Sequence, residues 1–230
     1  MKHIGIAAVT AEGAALCYRT ICQEAAARLG PNIHPEISLH SFSFDRIFSA
    51  QVREDWTTVA DLLVESISKL AHSGADFAII PANSTHFVFD EIRSRSPIPL
   101  LSIVEVAAKE AEKMGCRTVL TLGIGITMSR GLFLPALQAL GMKSVVPDDV
   151  EQKLINQIIF DEIIPGKTGP KSVALLTQIV AKYKALGCDA VLLGCTELPL
   201  VLTPDISPLP TIDTTSLLAL RAVDRATASE

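Results

Sequence analysis

Two short polar segments, each directly after an apolar run, carry the residue types that could do chemistry. They are Asn83-Ser84-Thr85 and Gly194-Cys195-Thr196-Glu197. A thiol that is partly removed from water and lies near free backbone N–H groups can exist as a thiolate and exchange a proton with carbon. Hydroxyl and amide side chains at the start of a helix form a carboxylate site together with its free N–H groups. The two segments therefore predict proton transfer on a molecule that carries a carboxylate.

Cys195 is the cysteine whose position favours chemistry among the five in the chain. Cys17 and Cys22 fall in a helical stretch, and Cys116 and Cys188 precede strands, so we expect these four to be packing residues. No two cysteines form a CxxC pair, which indicates neither a zinc site nor a disulfide framework. The cysteine pattern favours free thiols in a reducing compartment.

Three further polar residues lie close to predicted strand ends. His86 could carry a proton, although a histidine bonded to the backbone of its own turn is the favoured interpretation. Thr10 either lines the site or caps the helix that follows it. Glu12 fits a carboxylate at a helix start, where the helix dipole favours negative charge.

The elements that must position these residues are short apolar runs that alternate with amphipathic stretches. The predicted strands are Ile4–Val9, Glu36–His40, Asp76–Pro81, Leu100–Val104, Thr118–Leu122, Ala190–Leu193 and Thr211–Ile212. The predicted helices include Ala14–Leu29, Trp56–His72, Glu105–Met114, Val150–Ile164 and Ser172–Leu186. Continuously apolar strands, each followed by a helix, predict an α/β fold with parallel strands covered on both faces. Ligands of such sheets bind beyond the carboxyl ends of the strands.

The chain also contains an internal repeat. The segment Gly74–Ala82 reads in register with Gly187–Cys195, and Ser96–Pro99 matches Ser207–Pro210 at nearly the same offset. We therefore expect two homologous α/β halves, one formed by residues 1–104 with 208–230 and the other by residues 105–207. A pseudo-twofold axis would place the equivalent strand ends on opposite sides of one cleft.

Composition excludes several classes of function. The chain has 230 residues, 49% of them hydrophobic and 20% charged, enough to bury a substantial core. A net charge of −5 and an aromatic content of 5% argue against a nucleic-acid partner. No apolar run approaches the length of a membrane span and no targeting segment is visible, so we expect a soluble cytoplasmic protein with no membrane partner.

The two polar segments and their flanks resemble the signature motifs of a known family. Pro81–His86 and Leu193–Leu198 are similar to the paired motifs of cofactor-independent aspartate/glutamate racemases, in the wider Asp/Glu/hydantoin racemase superfamily. Further similar segments are Ile4–Ile6, Ala11–Gly13, His40–Trp56, Thr127–Ser129 and Ile212–Thr215, so the resemblance covers essentially the whole chain. It implies two pseudo-symmetric parallel-sheet halves around a cleft, an isomerase that racemises a dicarboxylic amino acid without pyridoxal phosphate or metal, and a homodimer.

The resemblance also implies roles for individual residues. Cys195 matches the catalytic cysteine, and Thr196 and Glu197 match residues that fix the amino and carboxylate groups of the substrate. Gln51 lies where the family contacts the substrate side chain. Lys167, in a Gly/Pro-rich loop that lacks the spacing of a phosphate-binding loop, could supply a cation for the distal carboxylate. The predicted substrate-binding set is Thr10, Gln51, Asn83, Ser84, Thr85, Thr127, Lys167, Thr196 and Glu197.

Ala82 departs from the family pattern, which has cysteine or sometimes threonine at this position. Because alanine has no exchangeable proton, a symmetric two-thiol mechanism cannot operate. Another group serves that face, or the protein is a one-thiol variant, or the alanine was introduced by engineering. The alternative functions are therefore a single-thiol decarboxylase or maleate-type isomerase, and a non-catalytic dicarboxylate-binding relative. The segment Gly123-Ile124-Gly125 also lacks a threonine often found in the family, which puts one carboxylate contact in doubt.

Overall fold

A computed structural model describes residues 1–228 and divides the chain into two compact units. The first unit comprises Met1–Val106 with the C-terminal segment from Thr215, and the second comprises Ala107–Thr214. Each unit contains one four-stranded sheet in which every pairing is parallel. The predicted α/β class is therefore confirmed. Within residues 1–228, no helix has the length and apolar character needed to cross a membrane.

The first unit begins the alternation of strands and helices. Its elements in chain order are β1 (Ile4–Ala8), α1 (Ala11–Leu29), β2 (Ile37–Ser41), α2 (Phe44–Val52), α3 (Trp56–His72), β3 (Phe77–Ile79), a 3₁₀ turn (Ser84–Val88), α4 (Phe89–Arg95), β4 (Leu100–Leu101) and the start of α5 (Ile103–Lys113). The strands lie in the order β2-β1-β3-β4.

The second unit has the same arrangement. Its elements are β5 (Thr118–Gly123), α6 (Gly125–Ser129), α7 (Leu134–Ala139), β6 (Lys143–Val145), α8 (Asp149–Ile158), a π-helical segment (Ile159–Ile163), α9 (Pro170–Ala185), β7 (Ala190–Gly194), a 3₁₀ turn (Leu198–Leu200) and β8 (Thr211–Asp213), after which α10 (Thr214–Thr227) follows. The strand order is β6-β5-β7-β8. The two sheets therefore share one topology, as the sequence repeat predicted.

Strand β1 shows why the central strands are apolar without alternation. Ile4, Ile6 and Ala8 belong to one buried cluster, which includes residues of α1, α5 and α10. Ala7 and Val9 belong to a second cluster, formed with α2, α3 and α4. Successive side chains of a strand point to opposite faces, so a sheet covered on both faces needs apolar residues at every position.

The repeated Gly-x-Asp segment performs the same structural task in both units. Asp76 accepts a hydrogen bond from the His3 N–H at 2.6 Å, just before β1. Asp189 accepts from the N–H groups of Arg117 and Thr118 at 2.7 and 2.8 Å, and these bonds lower the pKa of its carboxyl group. In each unit the aspartate that precedes the third strand, β3 or β7, therefore fixes the beginning of the first strand, β1 or β5.

Several elements differ from the sequence prediction in extent or type. Strand β4 ends at Leu101, before the predicted Val104, because α5 already begins at Ile103. The predicted helix Val150–Ile164 is α8 followed by the π-helical segment. Strand β6 was not predicted, because its three residues, Lys-Ser-Val, form no apolar run and are exposed or half-buried.

The boundary between the units also lies later than the sequence predicted. Residues 208–214 were expected in the first half, but β8 pairs with β7 in the register Val191↔Thr211, Leu192↔Ile212 and Leu193↔Asp213. The second unit therefore extends to Thr214, and only the segment from Thr215 belongs to the first unit.

Strands β5 and β7 end in a directly paired couple of glycines, Gly123 and Gly194. A Cβ atom on Gly194 would lie 3.0 Å from the Leu122 carbonyl oxygen, and one on Gly123 would lie 3.0 Å from the Gly194 carbonyl oxygen. Since the obstructing atoms belong to the backbone of the sheet, they cannot rotate away. Glycine therefore fits the close approach of the two strands, and a Cβ atom at either position would force the backbone to shift by a few tenths of an ångström.

We predict that Gly194→Ala lowers the free energy of unfolding by about 1–3 kcal/mol, because the added methyl group must displace a central strand. Urea denaturation followed by circular dichroism measures this loss. Gly169→Ala is the matched control, since a Cβ there meets no atom within 4 Å. Equal denaturation midpoints for the two variants would contradict the prediction.

Candidate functional site

Cys195 directly follows β7 and begins a tight turn. Its side chain is buried, and its thiol donates a hydrogen bond to Glu197 Oε2 over a distance of 3.0 Å. The Leu198 N–H donates to the Cys195 carbonyl oxygen at 3.2 Å, which closes the turn before the 3₁₀ segment. Thr196 and Glu197 are half-buried beside the cysteine. The predicted second-half residues are therefore brought together, with the thiol and the carboxylate in direct contact.

Burial raises the pKa of the Cys195 thiol well above its ordinary value, and the charge and hydrogen bond of Glu197 raise it further. Backbone N–H groups of Glu197 and Leu198 oppose these effects and lower the pKa, but less strongly. The raised pKa favours the protonated thiol in the resting site. In this state Cys195 can donate a proton, and it needs a partner before it can accept one.

The equivalent position of the first unit, Ala82, is held by its own turn. Its carbonyl oxygen accepts hydrogen bonds from Thr85 Oγ1 at 3.0 Å and from His86 Nδ1 at 2.9 Å. The Ala82 N–H donates to the Ile80 carbonyl oxygen at 2.8 Å. Ala82 and Thr85 are both buried. The turn is therefore closed by hydrogen bonds of the side chains that the sequence motif supplies.

His86 uses both ring nitrogens to bind backbone groups. Nδ1 donates to the Ala82 carbonyl oxygen, so Nε2 is the acceptor for the Ile103 N–H at 3.2 Å. The ring stacks on Phe89 with a centroid distance of 4.6 Å. Burial lowers the pKa of His86 to about 4; the bond to Ala82 opposes this shift and the charge of Arg93 adds to it. His86 is thus a neutral structural residue, in agreement with the favoured sequence interpretation.

Asn83 and Ser84 present polar groups at the same strand end. Gln51 Nε2 donates to Ser84 Oγ at 3.0 Å, so α2 fixes the orientation of the serine hydroxyl. Asn83 is buried, and its Oδ1 has no hydrogen-bond partner among the described residues. A buried acceptor without a partner is costly, and a ligand that supplies a donor would remove that cost. The sequence predicted these residues but not the Gln51–Ser84 bond.

Thr10 and Thr127 occupy different environments. Thr10 caps α1 by accepting from the Gly13 N–H at 3.2 Å, one of the two roles that the sequence left open. Thr127 is fully buried. Its methyl group would lie 3.0 Å from a Cβ atom on Gly123 and 3.2 Å from a Cβ atom on Gly194. Its hydroxyl has no hydrogen-bond partner among residues 1–228. Thr127 therefore lies beside the residue that precedes Cys195.

Lys167 lies in a different segment of the second unit from Cys195 and Thr127. It is exposed in the turn after the π-helical segment, where its N–H donates to the Glu162 carbonyl oxygen at 2.7 Å. Sequence reasoning missed Asn156, whose Oδ1 accepts from the Gly125 N–H at 2.7 Å and holds the loop after β5. No local motif marks Asn156, because it lies on α8, distant in sequence from that loop.

Metal-ligating side chains do not cluster in the part of the chain that the structure describes. Residues 1–228 contain no group of three or more histidine, cysteine, aspartate and glutamate side chains that could hold a metal ion. The groups available for chemistry at the two strand ends are therefore the polar groups described above.

Comparison with known proteins gives consistent matches along the whole chain. Residues 6–222 match the profile of the family described as Asp/Glu/Hydantoin racemase. The chain is 28% identical to the broad specificity amino-acid racemase RacX of Bacillus subtilis (strain 168). The aligned 161 residues cover 70% of this chain and 69% of that protein.

Two solved structures are similar over nearly the full length. One is an Asp/Glu racemase candidate from Yersinia pestis, with a TM-score of 0.93 and 30% identity, covering 99% of this chain and 100% of that one. The other is an aspartate racemase homologue from Pyrococcus horikoshii OT3, with a TM-score of 0.89, 30% identity and the same coverage. These matches extend across both units.

The buried His86 predicts a pH-dependent stability. Its pKa is about 4 in the folded state and about 6.5 in an unfolded chain, so the unfolded state binds the extra proton between these values. We predict that about 3 kcal/mol of unfolding free energy is lost as the pH falls from 7 to 4.

Urea denaturation of the wild type and His86→Gln between pH 7 and 4 measures this loss, and the variant should lack that part of the pH dependence. His72→Gln, at an exposed position on α3, is the control that should keep it. The same pH dependence in all three proteins would refute the assignment.

Thr127→Val tests the hydroxyl without a partner. Valine keeps the methyl group that packs on the glycine pair and removes the unsatisfied oxygen, so we expect the free energy of unfolding to rise by about 1 kcal/mol. If the hydroxyl serves a ligand, the same variant raises KM. Denaturation and steady-state kinetics on one preparation measure both, and a loss of stability would show that the oxygen has a partner in the folded chain.

Proposed function

The chain belongs to the Asp/Glu/hydantoin racemase family, and from this premise we propose that it is an isomerase that moves the α-proton of an amino acid through Cys195. The observation that carries the proposal is the buried thiol at the end of β7, in hydrogen-bond contact with Glu197. RacX of Bacillus subtilis, one of the relatives, is named as a broad specificity amino-acid racemase. We propose a dicarboxylic substrate of the aspartate/glutamate type.

The proposed binding groups are those that the two strand ends present. Asn83, Ser84 and Thr85, together with Thr196, hold the α-carboxylate and the amino group of the same amino acid on which Cys195 acts. The free Oδ1 of Asn83 supports this assignment, because it can accept a hydrogen bond from an ammonium group. Hydrogen bonds to the carboxylate stabilise the charge that develops when the α-proton leaves.

The remaining predicted residues complete the proposed substrate site. Gln51 contacts the substrate side chain, Lys167 supplies the cation for a distal carboxylate, and Thr127 donates its unpaired hydroxyl. The bond from Gln51 to Ser84 supports a role in orienting the carboxylate site. Thr10 contributes at the end of β1, although its acceptor already caps α1.

The proposed chemistry is one-sided. Ala82 has no exchangeable proton, and both nitrogens of His86 are bonded to the backbone. A carbanion formed by Cys195 is then reprotonated chiefly by the thiol that produced it. Exchange of the α-proton with solvent should therefore be faster than inversion of configuration.

The first test uses aspartate and glutamate, each as L and D enantiomer, in heavy water. We predict α-deuteration of one enantiomer with inversion at least tenfold slower, followed by NMR and chiral chromatography. Cys195→Ser should abolish the exchange. If no enantiomer gains deuterium and Cys195→Ser behaves as the wild type does, the proposal is wrong.

The second test restores the missing acid. Ala82→Cys should raise the rate of inversion at least tenfold, because it provides a thiol on the other strand end. Ala82→Ser is the matched control, as its hydroxyl has nearly the same size but is a far weaker acid. An equal gain in both variants would show that polarity, not acidity, limits inversion.

A second candidate function is favoured by the same alanine. One protonated thiol is sufficient to protonate the enolate left by a decarboxylation, or to act on an alkene diacid in a cis–trans isomerisation. Turnover of malonate derivatives or maleate, without α-deuteration of amino acids, would support this alternative. A rise in melting temperature with dicarboxylic amino acids but no reaction would instead indicate a binding protein.

A further inference from the structure

Glu197 is placed to serve the thiol of Cys195. We infer that Glu197 receives the thiol proton when Cys195 becomes a base and returns it afterwards, and so acts through Cys195 instead of binding the substrate. The inference rests on the proposed function, because it assigns a role within that proton transfer.

The geometry of the turn carries the inference. The thiol donates to Glu197 Oε2 at 3.0 Å, so a proton can pass along an existing hydrogen bond without any movement of the chain. Cys195 belongs to a buried apolar cluster with Leu122, Leu193 and Leu198. The Glu197 carboxylate is therefore a polar hydrogen-bond partner for a sulfur that otherwise packs in an apolar cluster.

The net charge of the Cys195–Glu197 pair explains why a carboxylate is useful beside the thiol. If Cys195 lost its proton to water, two negative charges would lie in contact in a site of low polarity, which is strongly unfavourable. If the proton moves to Glu197, the pair keeps a single negative charge throughout. The backbone N–H groups of Glu197 and Leu198 lower the pKa of the thiol and so favour the negative charge when it resides on the sulfur.

The step is balanced in protons and electrons. The S–H bond of Cys195 breaks as an O–H bond forms on Glu197, which leaves a thiolate. The thiolate then takes the α-proton: the C–H bond breaks, an S–H bond forms, and the electron pair stays on the substrate carbon. Return of both protons restores the starting pair, and no other reactant is consumed.

This role differs from the substrate-binding role that the sequence suggested for Glu197. One of its carboxylate oxygens already accepts the thiol proton. An ionised carboxylate at this point would also repel the carboxylate of a substrate. Removing its charge should therefore reduce the rate of proton transfer more than the affinity for the substrate.

The experiment compares wild type, Glu197→Gln, Glu197→Asp and the control Glu112→Gln, whose carboxylate is exposed on α5. We expect Glu197→Gln to lower the α-deuteration rate at saturating substrate about 100-fold. Its KM and the substrate-induced rise in melting temperature should stay within about twofold of wild type. Glu197→Asp should recover at least tenfold of the lost rate, and Glu112→Gln should match the wild type.

A raised KM with an unchanged saturating rate in Glu197→Gln would overturn the inference and return Glu197 to substrate binding. A loss that Glu197→Asp does not recover would also overturn it, because a carboxylate would then not be the required group.

An infrared measurement separates this inference from the proposed function. The S–H stretching band of Cys195 is isolated as the difference between spectra with and without Cys195→Ser. We expect the band at lower frequency in wild type than in Glu197→Gln, because a charged acceptor makes the stronger hydrogen bond. If the wild type exchanges no α-proton, the proposed function fails while this band still tests the thiol–carboxylate pair. An identical band in both proteins would overturn the pairing.

Discussion

The position of the thiol depends on how closely two parallel strands can approach at their last residues. Gly123 and Gly194 pair with each other at the ends of β5 and β7, where a Cβ atom on either residue would lie 3.0 Å from a backbone oxygen. The methyl group of Thr127 fills the remaining space beside them. Because the sheet is fixed up to Gly194, the turn that begins at Cys195 starts from a defined point, and the contact with Glu197 follows from that turn.

The two units use one scaffold for two kinds of strand end. In the first unit the repeat-equivalent residue, Ala82, lies three residues after β3, and its carbonyl oxygen accepts hydrogen bonds from the side chains of Thr85 and His86. In the second unit the equivalent residue contributes a side chain, and the Cys195 thiol is itself the donor, toward Glu197. The two units thus share one topology, and the second adds a side-chain hydrogen bond, from the Cys195 thiol to Glu197, that an alanine cannot make.

The sequence was informative where a local pattern decides the structure. Helix α3 begins at Trp56 and ends at His72, as predicted, because its apolar periodicity is strong and Asp55 caps its first turn. Strand β6 was missed because edge residues that are partly exposed carry no such pattern. The position of Cys195 after a buried strand could be predicted from sequence. Its bond to Glu197 could not, because it depends on the backbone angles of one turn.

The two bonds of His86 have a consequence for how the first unit opens. Its ring joins the Ala82 carbonyl oxygen, in the turn after β3, to the Ile103 amide at the start of α5, which lies 17 residues beyond His86 in the chain. Neither partner can leave without exposing a buried imidazole. The turn and the first residues of the helix therefore form a single cooperative unit of local unfolding. Hydrogen–deuterium exchange at Ile103 accordingly reports on the order of a turn that lies far from it in sequence.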